Sequence, residues 1–87
     1  MLQDPMTLDL LATLDVVDDD VTAVVEAYMA DPQRGMVAFG DGYRIDPAKA
    51  VDAHPFARRL MAQPWAGEEL QHAAVRAAIM LASPERS

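Results

Sequence analysis

Six prolines divide this chain of 87 residues into short segments. Proline lacks a backbone N–H, so it suits the first turn of a helix and interrupts the interior of one. Asp46-Pro47 therefore predicts a helix start with Asp46 as its cap, whereas Asp31-Pro32 and Pro64 predict helix ends. We expect several short helices rather than a few long ones.

Apolar residues recur at helical spacing between these prolines. Val21, Val24, Val25 and Tyr28 predict an amphipathic helix that begins at the three aspartates 18–20. Asp4-Pro5 predicts a first helix over about residues 5–14, with Asp4 as the cap and Pro5 in the first turn. Three further helices are predicted over residues 47–53, 56–63 and 66–82.

A β-hairpin is predicted near residues 36–46, because Asp41-Gly42 separates two runs rich in β-branched and aromatic residues. A two-residue turn there would place Gly40 opposite Tyr43. A two-stranded ribbon is marginal alone, so one face should lie on the helices. The predicted fold class is mainly α (α+β), with four to five short helices and one central hairpin.

The last predicted helix is apolar around much of its circumference. Leu70, Ala74, Ala77 and Leu81 form its main stripe, with Val75 and Ile79 beside it. Such a helix is expected either at the centre of the fold or in a homodimer contact through residues 68–82. Residues 1–82 are expected to form a single helical domain and residues 83–87 a frayed C-terminal tail.

Composition limits the chemistry and the location of the protein. The chain has no cysteine, so neither disulfides nor thiolate metal sites are expected, and a cytoplasmic protein is favoured. The apolar stretch 73–83 is too short to span a membrane. The alanine-rich, lysine-poor usage fits a GC-rich bacterium or its phage.

The negative charge is concentrated in the first third of the chain. Residues 1–31 hold eight acidic residues and no Lys or Arg, whereas residues 32–87 hold seven bases and six acids. Aspartates 18–20 suit the start of a helix, which accounts for three of the eight. The acidic residues predicted to face a basic partner protein are Asp9, Asp15, Asp19, Glu26 and Asp31. Trp65, between a proline and small residues, is the predicted exposed apolar anchor.

Glu69 and His72 form a Glu-x-x-His pair of the kind used in di-iron helix bundles, with Glu26 as a further acidic residue. One chain supplies only half of such a ligand set, and a surface ladder with Glu68 and Arg76 explains the pair equally well. No metal and no cofactor are therefore predicted. The chain has two histidines, and its serines lie only at the C-terminal end, so it offers few side chains for a nucleophile and a general base. An enzyme is therefore not expected either.

The function predicted is a small non-catalytic protein–protein interaction module: an adaptor, inhibitor or regulatory subunit. One alternative is a winged helix-turn-helix-like DNA-binding regulator using Arg58 and Arg59, although no predicted helix carries a full basic recognition face. Another is a nucleic-acid mimic that inhibits a nuclease through its carboxylates. Direct nucleic-acid binding is disfavoured because the acidic first third would repel phosphates.

Overall fold

Five helices and a small antiparallel sheet form the part of the chain that the computed structural model describes, residues 5–86. The helices are α1 (Thr7–Ala12), α2 (Asp18–Ala30), α3 (Pro47–Asp52), α4 (Pro55–Met61) and α5 (Glu68–Leu81). The strands are β1 (Val37–Phe39), β2 (Tyr43–Ile45) and β3 (Glu85–Arg86). This arrangement confirms the predicted α+β class with a hairpin at the middle of the chain. No helix among these residues is long and apolar enough to cross a membrane.

Helix α3 begins at Pro47 as predicted, and α4 begins at Pro55, one residue before its predicted start. The Asp46 carboxylate accepts hydrogen bonds from the backbone N–H groups of Ala48 and Lys49, at 3.1 and 3.3 Å. In α4 the cap is an imidazole, because His54 Nδ1 accepts from the N–H of Ala57 at 3.1 Å. Each cap satisfies a donor that has no partner within its own helix.

The helices α1 and α2 are preceded by apolar residues at the cap position, and each uses an aspartate within its first turn. Asp9 accepts from the N–H of Met6 at 2.9 Å, and Asp20 accepts from the N–H of Val17 at 3.0 Å. The prediction for α1 was therefore wrong in detail, since the helix begins at Thr7 and Pro5 precedes it. The predicted cap, Asp4, lies outside the described residues.

The hairpin register differs by one residue from the predicted one. Phe39 lies opposite Tyr43, and the loop has three residues, 40–42, instead of two. Gly40 and Gly42 both have positive φ, +62° and +88°. Side chains alternate along a strand, so the shift places Phe39, Tyr43 and Ile45 together on the buried face.

Residues at the C-terminal end form a strand where a frayed tail was predicted. Glu85 pairs with Arg44 in an antiparallel ladder, and Arg86 pairs with Tyr43. The Glu85 carboxylate lies 3.6 Å from the Arg44 guanidinium, and the Arg86 guanidinium lies 5.6 Å from the centre of the Tyr43 ring. Backbone pairing together with a cation–π contact explains the order of this segment.

Helix α5 occupies the centre of the fold and contacts each of the other four helices. Its buried residues are Ala74, Val75, Ala78 and Ile79. The buried side of α5 therefore differs from the predicted stripe, since Leu70 and Leu81 of that stripe are 42% and 51% exposed. The other helices approach α5 along its small and β-branched side chains, where backbones can come close together.

Leu14, which follows α1, has a left-handed backbone with φ of +65° and is 76% exposed. A non-glycine residue there costs about 1–2 kcal/mol, partly offset by the entropy that glycine would lose. Leu14→Gly should therefore raise the free energy of unfolding by about 0.5–1 kcal/mol, measured by urea denaturation. Ala12→Gly, within α1, should instead lower it by about 1 kcal/mol. A loss of stability in Leu14→Gly would contradict the strain assigned to this residue.

Candidate interaction surfaces

Helix α2 presents a face of small and acidic residues to solvent. Its buried residues are Val21, Val24, Val25 and Tyr28. Four exposed residues away from this buried side, Asp19, Ala23, Glu26 and Ala30, follow each other at helical spacing, and Glu26 also borders the groove between α2 and α5. Asp19 and Glu26 are separated by two helical turns, about 10 Å along the axis. We call these four residues the α2 outer face.

Neighbouring carboxylates of α2 differ in their partners. Asp18 is bound by the guanidinium of Arg76 from α5, and Asp20 caps the helix. Within residues 5–86, by contrast, the side-chain carboxylates of Asp19 and Glu26 have no hydrogen-bond or ion-pair partner. The Arg76 contact and the cap anchor α2, so the helix backbone that carries the two unpaired charges is held in place.

The other three predicted acidic residues are exposed, but each has a local partner. Asp9 caps α1, and the Asp15 carboxylate accepts from the Thr13 hydroxyl at 2.6 Å. Asp31 accepts from the N–H of Gln33 at 3.1 Å, in the turn that follows α2. These carboxylates shape their own loops and helix ends, which sets them apart from the α2 outer face.

The group whose pKa is shifted lies on the opposite side of α2. Burial raises the pKa of the Tyr28 hydroxyl above its ordinary value, because desolvation disfavours the phenolate. Tyr28 therefore stays neutral throughout the physiological range and adds no charge to this helix.

Trp65 is 68% exposed, in line with the exposure predicted for it. It lies in a turn in which the N–H of Ala66 donates to the carbonyl of Gln63 at 3.3 Å. Its indole N–H donates to the Gln63 side-chain oxygen at 3.1 Å. The turn therefore holds the indole against the surface with one face open to solvent.

Phe56, the second residue of α4, is 55% exposed. The buried residues of α4 are Ala57 and Leu60. Spacing did not reveal the exposure of Phe56, because Phe56 lies four residues before the buried Leu60 and therefore next to it on the helix surface. Phe56 and Trp65 line the same hollow on the surface, a site that the sequence did not reveal.

The residues considered for a metal do not converge. Glu26 and His72 line a shallow groove of about 180 Å³ between α2 and α5, but Arg76 lines it too and its positive charge opposes a bound cation. The carboxylate near His72 is that of Glu68, at 3.7 Å, rather than that of Glu69. Within residues 5–86 no three His, Asp or Glu side chains are grouped closely enough to hold a metal ion.

A groove of about 370 Å³ lies between the hairpin, α3 and the end of α5. Met36 and Leu81 contribute apolar surface to it, and Lys49 contributes a charge. The other ionic groups along it are already engaged, because Arg44 pairs with Glu85 and Asp46 caps α3. The groove therefore offers little to select one ligand over another.

Comparison of this chain with protein-family models, with curated proteins and with solved structures finds no match.

Proposed function

We propose that the protein is a small non-catalytic interaction module, an adaptor, inhibitor or regulatory subunit, whose α2 outer face binds a basic surface of a partner protein. The observation that carries the proposal is the pair of exposed carboxylates, Asp19 and Glu26, that lack internal partners on a helix fixed by its neighbours. Unpaired charges of this kind can be matched across an interface without breaking an internal contact.

The steric character of the α2 outer face supports the same proposal. Ala23 and Ala30 alternate with the two carboxylates, so no long side chain prevents a partner from approaching the helix. Because the backbone of α2 is already helical, little backbone entropy would be lost when a partner binds it. The formal net charge of −7 would further accelerate encounter with a basic protein.

Two further features belong to this proposal. The protein would act in the cytoplasm, consistent with a chain that contains no cysteine. It would also form a homodimer through residues 68–82, where Leu70 and Leu81 leave apolar surface exposed on α5.

The proposal is tested by reversing the two charges. The tagged wild-type protein is used to capture partners from a lysate of its source, and the captured protein is purified and titrated. The double variant Asp19→Lys/Glu26→Lys should weaken this complex by about tenfold or more, because each like-charge contact is unfavourable. The wild-type affinity should fall as salt is raised from about 50 to about 300 mM.

A matched control separates the effect of the charges on the α2 outer face from the effect of the net charge. Asp41→Lys/Asp52→Lys changes the net charge equally at exposed positions outside α2. This variant should bind nearly as tightly as the wild type. Equal losses of affinity in both variants would show that only the overall charge matters. An unchanged affinity in the α2 variant would refute the proposed surface.

A further inference from the structure

Two exposed aromatic side chains, Phe56 of α4 and Trp65 of the turn that follows it, each contact a neighbouring side chain. The His54 ring meets the Phe56 ring edge to face, with centroids 6.4 Å apart. Pro64 restricts the backbone next to Trp65, whose indole is hydrogen-bonded to Gln63. Rigid aromatic groups lose little conformational entropy on binding, which is why they are frequent anchors of interfaces.

A hollow of about 170 Å³ is lined by these two rings together with Arg59, Leu60 and Gln63. Leu60 is buried and gives the hollow an apolar contribution. Arg59 is exposed and adds a guanidinium. We call these five residues the aromatic–arginine cleft. Its size suits one bulky apolar side chain, with a planar cation beside it.

The surroundings of the cleft are locally basic on an acidic chain. Arg59 and Gln63 also line a neighbouring hollow, which adds Arg58 and one carboxylate, Asp52. Within residues 5–86, neither arginine has a carboxylate within salt-bridge distance. The two guanidinium groups are therefore available to an external anion, and a guanidinium can bind a carboxylate with two parallel hydrogen bonds.

We propose that the aromatic–arginine cleft docks an acidic segment of a partner protein, which inserts a bulky apolar side chain between Phe56 and Trp65 and places a carboxylate on Arg59. This surface is distinct from the α2 outer face and does not depend on the function proposed for it. With both surfaces, the chain would join a basic partner and an acidic one.

Charge and shape favour this occupant over two others. A nucleic-acid strand carries a negative charge at every phosphate, so the net charge of −7 repels it more strongly than it repels a peptide segment with one or two carboxylates. The α2 outer face of a second copy carries carboxylates but only alanines between them. It therefore lacks the bulky side chain that the cleft would accept.

The proposal is tested by selecting ligands from a random short-peptide display library on the immobilised full chain. Enriched peptides should combine a bulky apolar residue with nearby Asp or Glu. Their binding is then followed through the emission of Trp65, the single tryptophan of the chain, which should shift to shorter wavelength as the indole is covered. Trp65→Ala and Arg59→Glu, followed with a fluorescent peptide, should each weaken binding by about tenfold or more.

Matched controls alter the same residue types elsewhere. Arg34→Glu reverses another exposed arginine, and Leu8→Ala removes another exposed apolar side chain. Both should retain wild-type affinity for the selected peptides, and circular dichroism should show that all four variants are folded.

Several outcomes would overturn the proposal. These are an absence of enriched peptides, enrichment of neutral or basic sequences, and selected peptides that bind Trp65→Ala as tightly as the wild type. Oligothymidine binding that requires Trp65 would assign the cleft to a nucleic acid instead. Self-association in sedimentation experiments that Trp65→Ala abolishes would assign it to a second copy.

Discussion

Ile79→Ala should lower the free energy of unfolding by about 3 kcal/mol, the middle of the range for large-to-small changes in a core. Ile79 is fully buried on the central helix α5, where the surrounding helices cannot easily close the cavity. A chain of this length has a total stability of about 4–13 kcal/mol. The change should therefore remove a large part of it, as urea denaturation would show.

Leu81→Ala provides the comparison within the same helix. Leu81 is half exposed, so its truncation should cost less than about 1 kcal/mol. The pair distinguishes the observed orientation of α5 from the predicted one, which placed Leu81 in the main stripe. A larger cost for Leu81→Ala than for Ile79→Ala would contradict the observed packing.

Gly40→Ala should destabilise the protein by about 2–3 kcal/mol through backbone strain and a steric clash. Its φ of +62° is unfavourable for any residue with a Cβ. A Cβ here would lie 2.8 Å from Val16 Cγ2 and 2.9 Å from the Asp15 carbonyl oxygen. The carbonyl belongs to the backbone before α2, so relief would require moving the hairpin loop away from that segment.

Gly42→Ala separates the cost of backbone strain from the cost of the steric clash. Gly42 also has a positive φ, but a Cβ there would meet no atom within 4 Å. Its replacement should cost about 1–2 kcal/mol from the backbone alone. The difference between the two variants in urea denaturation measures the close contact at Gly40. Equal costs would show that this contact contributes nothing.

Local signals predicted most of the elements correctly. Asp46-Pro47 begins a helix because the carboxylate accepts the free N–H groups and proline suits the first position. The three aspartates 18–20 begin α2 for related reasons of hydrogen bonding and helix dipole. The same reasoning did not give the turn length of the hairpin, since Asp41-Gly42 is compatible with loops of two or three residues.

The candidate surfaces were only partly predictable. Helical periodicity places Asp19 and Glu26 on one face, so their exposure follows from spacing alone. That Asp18 is neutralised by Arg76 does not follow from spacing, because the two residues are 58 positions apart in the chain. The pairing of Phe56 with Trp65 in one hollow likewise depends on how the turn after α4 folds back.

The sequence alone determined where α2 and α3 begin and where α2 ends, because caps, proline geometry and helical spacing act within a few residues. The tertiary structure decided which side of α5 is buried, how the hairpin strands align and that residues 85–86 form a third strand. These outcomes depend on contacts between segments far apart in the chain. Their energies come from packing and strand pairing, which no local pattern specifies.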